Sequence, residues 1–132
     1  MTHALDTNAV IALLKNARGS VATRLRTHAP ADIAISSIVL HELYFGAFRS
    51  ARVEHNLDRV KALRFAVLAL DQDDARAAGE IHAALAARGT PIGGYDLLIA
   101  GQARARGLVV VTANGREFAR VDGLAVEDWA AA

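Results

Sequence analysis

The chain has 132 residues, 53% of them hydrophobic but few aromatic, so we expect one domain over residues 1–132 with a core of Ala, Val, Ile and Leu. That length is enough to hide roughly two-thirds of the unfolded surface. There is no cysteine, which excludes disulfides and thiolate metal sites and fits a reducing compartment such as the cytoplasm, and a formal net charge of +1 excludes a general attraction to polyanions.

Taken in chain order, a short strand over about 2–5 precedes a helix that starts near Thr7. Ser20 is placed to cap a second helix, "VATRLRTH". "DIAIS" (32–36) reads as a buried strand, and "SIVLHELYFGAF" (37–48) as a helix capped by Ser36 or Ser37. "RVEHNLDRVKALRF" (52–65) has the pattern of an amphipathic helix, and "AVLAL" (66–70) that of a strand. An Ala-rich helix over 73–88 ends at Gly89, and "YDLLIAGQARAR" (95–106) closes at Gly107. "LVVVT" (108–112) is continuous, apolar and β-branched, as in a strand covered on both faces, and "LAVED" (124–128) is a candidate edge strand. This alternation predicts a three-layer α/β/α sandwich with a mostly parallel sheet and right-handed crossovers. Helices then point their N-termini at the edge where the strands end, which is where such folds place ligands. No apolar run approaches the roughly 18 residues of a membrane span. Asp6 interrupts the first apolar stretch and no basic leader precedes it, so a signal peptide is not expected.

Four acids fall near that edge: Asp6 after the first strand, Glu42 in a helix, Asp96 in a first helical turn and Glu117 after the last clear strand. Singly, Asp6 has the position of a helix cap and Asp96 suits a helix dipole. Asp71 also follows a strand and precedes a helix, and is assigned turn and capping work alone. Glu42 is harder to explain structurally, because it shares a helical stripe with Ile38, Val39 and Phe45. Phe45 itself is expected in the core, whereas Tyr44 and Phe48 have the character of core or of a partner-binding groove. His41 reads as a surface or partner-facing residue. Glu117 follows the turn signal Asn114-Gly115, and Thr112 and Asn114 are polar groups that serve either the turn or site carboxylates. Gathered at one edge, four carboxylates repel one another, so some take up protons or a cation neutralises them. Oxygen donors without Cys or paired His favour Mg²⁺, with Mn²⁺ as a substitute. A metal-bound water is a nucleophile at neutral pH, which suits phosphodiester chemistry.

With these residues in place, the chain resembles the PIN-domain ribonucleases, and among them the VapC-like toxins of type II toxin–antitoxin pairs. The segments "LDTNAVIALL", "ISSIVLHELYFGA", "PIGGYDLLIAGQARARG" and "LVVVTANGREFARVDGLAVEDW" match that family's motifs in order, through Trp129. Ala113 departs from the "TNN" common in relatives, but Thr112, Asn114 and Glu117 remain. The resemblance implies a metal-dependent endoribonuclease that cuts single-stranded regions of RNA, often transfer RNA, and so inhibits translation. It puts Asp6, Glu42 and Asp96 on the core acids, Glu117 on a fourth and more variable one, and Thr7, Asn8, Thr112 and Asn114 beside them as supporting polar residues. It also implies a homodimer and a cognate antitoxin whose C-terminal segment covers the site. Of the fifteen basic residues only Lys15 and Lys61 are lysines. Lys15, Arg88, Arg104, Arg106 and Arg116 are the candidates to hold the RNA backbone, although Arg104 and Arg106 equally suit a helix C-terminus, and Arg-rich composition also follows from GC-rich coding.

Other classes fit less well. A phospho-accepting receiver wants paired acids after its first strand and a Lys after its last, and a haloacid-dehalogenase-like phosphatase wants Asp-x-Asp where this chain has "DTN". A catalytically silent PIN fold that only binds RNA or protein is the remaining alternative, and the complete acid set weighs against it.

Overall fold

The structure is a computed structural model that describes residues 1–130. Most element boundaries follow from caps written in the local sequence. β1 (His3–Leu5) runs into α1 (Thr7–Lys15), and the Asp6 carboxylate between them accepts the Ala9 N–H at 2.8 Å. α2 (Ser20–Leu25) is shorter than predicted, and its cap is Gly19: Ser20 is its first residue, and the Thr23 hydroxyl donates to the Gly19 carbonyl. A 3-10 turn at Pro30–Asp32 precedes β2 (Ile33–Ser36), and Ser36 caps α3 (Ser37–Phe48) by accepting the Ile38 N–H at 3.1 Å. α4 (Val53–Lys61) and β3 (Ala66–Leu68) both stop short of their predicted ends.

α5 (Gln72–Arg88) opens on a reciprocal cap: Asp71 accepts the Asp74 N–H and Asp74 accepts the Asp71 N–H. α6 (Gly94–Arg106) follows. α5 and α6 end at Gly89 and Gly107, whose φ values of 68° and 66° lie where a Cβ is disfavoured. The chain closes with β4 (Val109–Thr112), a 3-10 turn at Phe118–Arg120, and β5 (Val126–Asp128).

The strands form one sheet in the order β3-β2-β1-β4-β5, and every pairing is parallel. Helices cover the sheet on both sides, giving the predicted α/β/α sandwich. Leu5, Ile33, Ile35, Val110 and Val111 are buried in the sheet. Trp129 is wholly buried at its end, stacked on His28 with ring centres 5.1 Å apart, and its indole N–H donates to Glu127. α5 and α6 pack closely enough that a Cβ on Gly101 would lie 2.6 Å from Ala78, so only glycine fits there. Among the described residues, no helix is long and apolar enough to cross a membrane.

The register positions the site. Leu5 pairs with Ile35 on one side and Val111 on the other, and Thr112 pairs with Asp128. One residue further along, Ser36, Asp6, Thr112 and Asp128 form a polar row where the apolar strands stop. Burial ends at the same line in three neighbouring strands, and helix N-termini meet it there.

Candidate active site

Asp6 stands at the centre of this row. It is 2% exposed and its carboxylate carries more than the helix cap. Burial pushes its pKa from the ordinary 3.8 up to about 6, helped by the charges of Glu42 and Asp128, while hydrogen bonds from the Thr112 hydroxyl and the Ala9 N–H act in the opposite direction. Glu42 reaches the same place from the second turn of α3, and its Oε1 accepts the Thr7 hydroxyl at 2.7 Å. This bond ties the first two acid-bearing segments together. Asp96 arrives from the first turn of α6. Its pKa rises to about 7 because it is half-buried, hydrogen-bonded to the Glu117 carboxyl, and close to the charges of Glu117, Asp6 and Glu42. The nearness of Glu117 thus favours a proton on Asp96.

Asp6, Glu42 and Asp96 line one cavity of about 520 Å³, together with Thr7 and Asn8. Glu117 joins through its bond to Asp96. Thr112 is buried behind Asp6 and its oxygen also accepts the Asn114 N–H at 2.9 Å, so Asn114 holds the turn. Among the described residues, no three His, Asp or Glu side chains stand as a ready-made ion cage. The donor chemistry nonetheless fits a hard divalent cation: the groups are oxygens, Asp6 and Asp96 are disfavoured as bare anions, and Mg²⁺ commonly uses only one or two carboxylates and fills its remaining positions with water.

The basic residues divide differently. Arg106 is held against buried Asp74 at 2.9 Å and donates to the Ala69 carbonyl, Arg104 pairs with Glu80 at 2.6 Å, and Arg88 pairs with Asp122 and donates to the Arg120 carbonyl. All three staple neighbouring elements and none lines the acid-walled cavity. Lys15 and Arg116 are exposed and also stand outside that lining. Arg49, which the sequence did not single out, does line it. Removing Arg106 leaves Asp74, only 1% exposed, without its cation. Arg106→Ala is therefore expected to lower stability by about 2–3 kcal/mol, measured by urea unfolding, with cleavage per folded molecule unchanged.

Phe45 corrects an expectation. It is 57% exposed on the cavity rim rather than in the core, because it lies on the side of α3 that faces away from the sheet. Asp71 does cap α5 as expected. Asp128 was missed as a site neighbour. Its only signal was the parallel register that sets it beside Thr112, which "VED" alone does not reveal.

The family model for the PIN domain matches residues 4–124. The chain belongs to the PIN-domain family. Within it, this PIN domain is VapC-like. It is 45% identical over 127 residues to the tRNA(fMet)-specific endonuclease VapC of Shigella flexneri, covering 95% of this chain and 96% of that protein. It superposes on a chain of the DNA-bound VapBC of Salmonella typhimurium with a TM-score of 0.93 at 44% identity, covering 98% of each chain. VapBC2 of Rickettsia felis, bound to a DNA fragment from its promoter, gives 0.90 at 33% identity over 98% of this chain and 99% of that one.

Proposed function

We propose that residues 1–132 act as one nuclease domain: a VapC-type toxin that hydrolyses phosphodiester bonds in single-stranded regions of RNA, inhibits translation in the cytoplasm, and is neutralised by a cognate antitoxin. The observation that carries this reading is the convergence of Asp6, Glu42 and Asp96 on one cavity, in a chain whose Shigella flexneri relative is a tRNA(fMet)-specific endonuclease. Transfer RNA is accordingly the proposed substrate class. The VapBC relatives support an antitoxin partner, and a homodimer is the proposed assembly.

Asp6, Glu42, Asp96 and Glu117 would hold Mg²⁺ or Mn²⁺. When bound, the cation lowers the pKa of a water and stabilises charge at the phosphate. The chain's own residues prepare the site. Thr7 orients Glu42 through its hydroxyl, and Thr112 and the Ala9 N–H orient Asp6. Asp96, whose pKa is raised to about 7, would give up its proton to a filled site. The buried row behind Asp6 keeps bulk water to the open side of the cavity.

The test is to express the chain with and without the neighbouring open reading frame and map RNA 5′ ends by sequencing. We expect growth arrest and new ends in transfer RNA from the chain alone, and neither when the neighbour is co-expressed. RNA binding without new ends would instead assign the silent binding module.

A further inference from the structure

We propose that the rim of the acid-walled cavity is a base-binding subsite, in which Tyr95 and Phe45 stack an unpaired nucleobase of the RNA while the acids face its phosphodiester. This rests on the reading that the cavity is where cleavage occurs. Besides Thr7 and Asn8, the side chains that share the cavity with the three acids are of a different kind: Ile11, His41, Phe45, Arg49 and Tyr95. Two of them follow from helical neighbours of the acids. Tyr95 directly precedes Asp96, and His41 directly precedes Glu42, so each acid helix also brings a flat ring to the rim.

These rings are presented outward rather than packed away. Tyr95 is 50% exposed and Phe45 57%. The His41 ring meets Tyr95 edge-on across the α3–α6 gap, with ring centres 5.2 Å apart. The Arg49 guanidinium lies 5.4 Å over the Phe45 ring, one helical turn away, and supplies the cavity's cation.

An exposed aromatic costs free energy in contact with water, and a rim of rings around a carboxylate floor suits few ligands. A bare phosphate chain or a metal alone uses only the floor. An unstacked base attached to that chain uses both, since single-stranded RNA is held by stacking bases on aromatic faces and guanidinium planes. The cavity volume of about 520 Å³ admits a nucleotide.

The experiment uses the full chain, a mixed-sequence single-stranded oligoribonucleotide, and versions of that strand carrying one abasic residue at each position in turn. The parent should cut the intact strand at least about tenfold more efficiently than the version abasic beside the cut bond. Tyr95→Ala and Phe45→Ala should each raise KM by roughly tenfold with kcat nearly kept, and should erase the discrimination against the abasic strand. Tyr95→Phe and Phe45→Trp should restore both. Phe48→Ala, on an exposed ring outside the cavity lining, should change neither. The subsite is overturned if cutting stays cation- and Asp6-dependent while the alanine variants keep the parental KM and abasic discrimination, including when they lose only affinity for the antitoxin. If no strand is cut in a cation- and Asp6-dependent way, the cleavage-site reading falls first and the subsite with it.

Discussion

Asp6→Asn should abolish cleavage, by at least about a hundredfold, and should leave the protein as stable as the parent or more so. The two halves of this expectation have one cause. Asp6 is a buried carboxylate whose ionised form the fold disfavours, with a pKa raised to about 6. Because the folded pKa lies above the ordinary value, the native state holds the proton more tightly than the unfolded chain does. The resulting stability is fully present below about pH 4 and is lost as pH rises through about 6, so by pH 8 the native state holds a buried anion that its hydrogen bonds only partly offset, at a cost of about 3 kcal/mol. Asn removes that anion and caps a helix as well as Asp does. We therefore expect the variant to melt above the parent at pH 8 and level with it near pH 4, while purified protein shows no cation-dependent cutting of RNA. Parental turnover by Asp6→Asn would remove Asp6 from the site. Loss of turnover together with unfolding would mean that Asp6 is only a cap.

The second large effect is expected from the cation and pH together. EDTA should stop cleavage, and Mg²⁺ or Mn²⁺ should restore it. The same addition should raise the melting temperature, and should do so more at pH 8 than at pH 5. The sign follows from Asp6 and Asp96, whose pKa values of about 6 and 7 leave them largely protonated at pH 5 and ionised at pH 8. At the lower pH protons already neutralise the cluster and compete with the ion. At the higher pH repulsion among the acids is unrelieved, and an ion held at a hundred times its Kd adds about 2.7 kcal/mol. Cleavage should climb between pH 5 and 8 for the same reason. Calorimetry of chelated and Mg²⁺-loaded protein across that range checks the linkage, and RNA cutting by clean, chelated protein would discard the metal reading.

Much of the site can be read in the chain because its parts sit at punctuation marks. Asp6 and Ser36 each stand where an apolar strand meets a helix, and both serve as caps. Thr112 ends an uninterrupted apolar run at a turn. Glu42 stands out because a carboxylate breaks an otherwise apolar helical stripe. Local chemistry dictates such positions, so local pattern recovers them.

Other features had no local signature. Phe45 belongs by type in a core, yet α3 is so apolar all round that periodicity cannot say which side meets the sheet, and Phe45 lies on the outer one. Arg88, Arg104 and Arg106 are unremarkable helix-end cations until folding brings Asp122, Glu80 and Asp74 to them from tens of residues away. Ser20 is a good cap residue, but the backbone enters α2 one residue earlier, at Gly19.

By itself, then, the order of residues determined the alternating elements, the parallel sandwich and the four candidate acids, since each depends on neighbours within a turn or a strand. Tertiary structure alone decided how those acids interact: Thr7 bonded to Glu42, Asp96 brought against Glu117, Asp128 drawn beside Thr112, and aromatic rings left on the rim. The physical reason is that burial and electrostatic repulsion are properties of distances between segments far apart in the chain, and those distances exist only once sheet register and helix packing have set them.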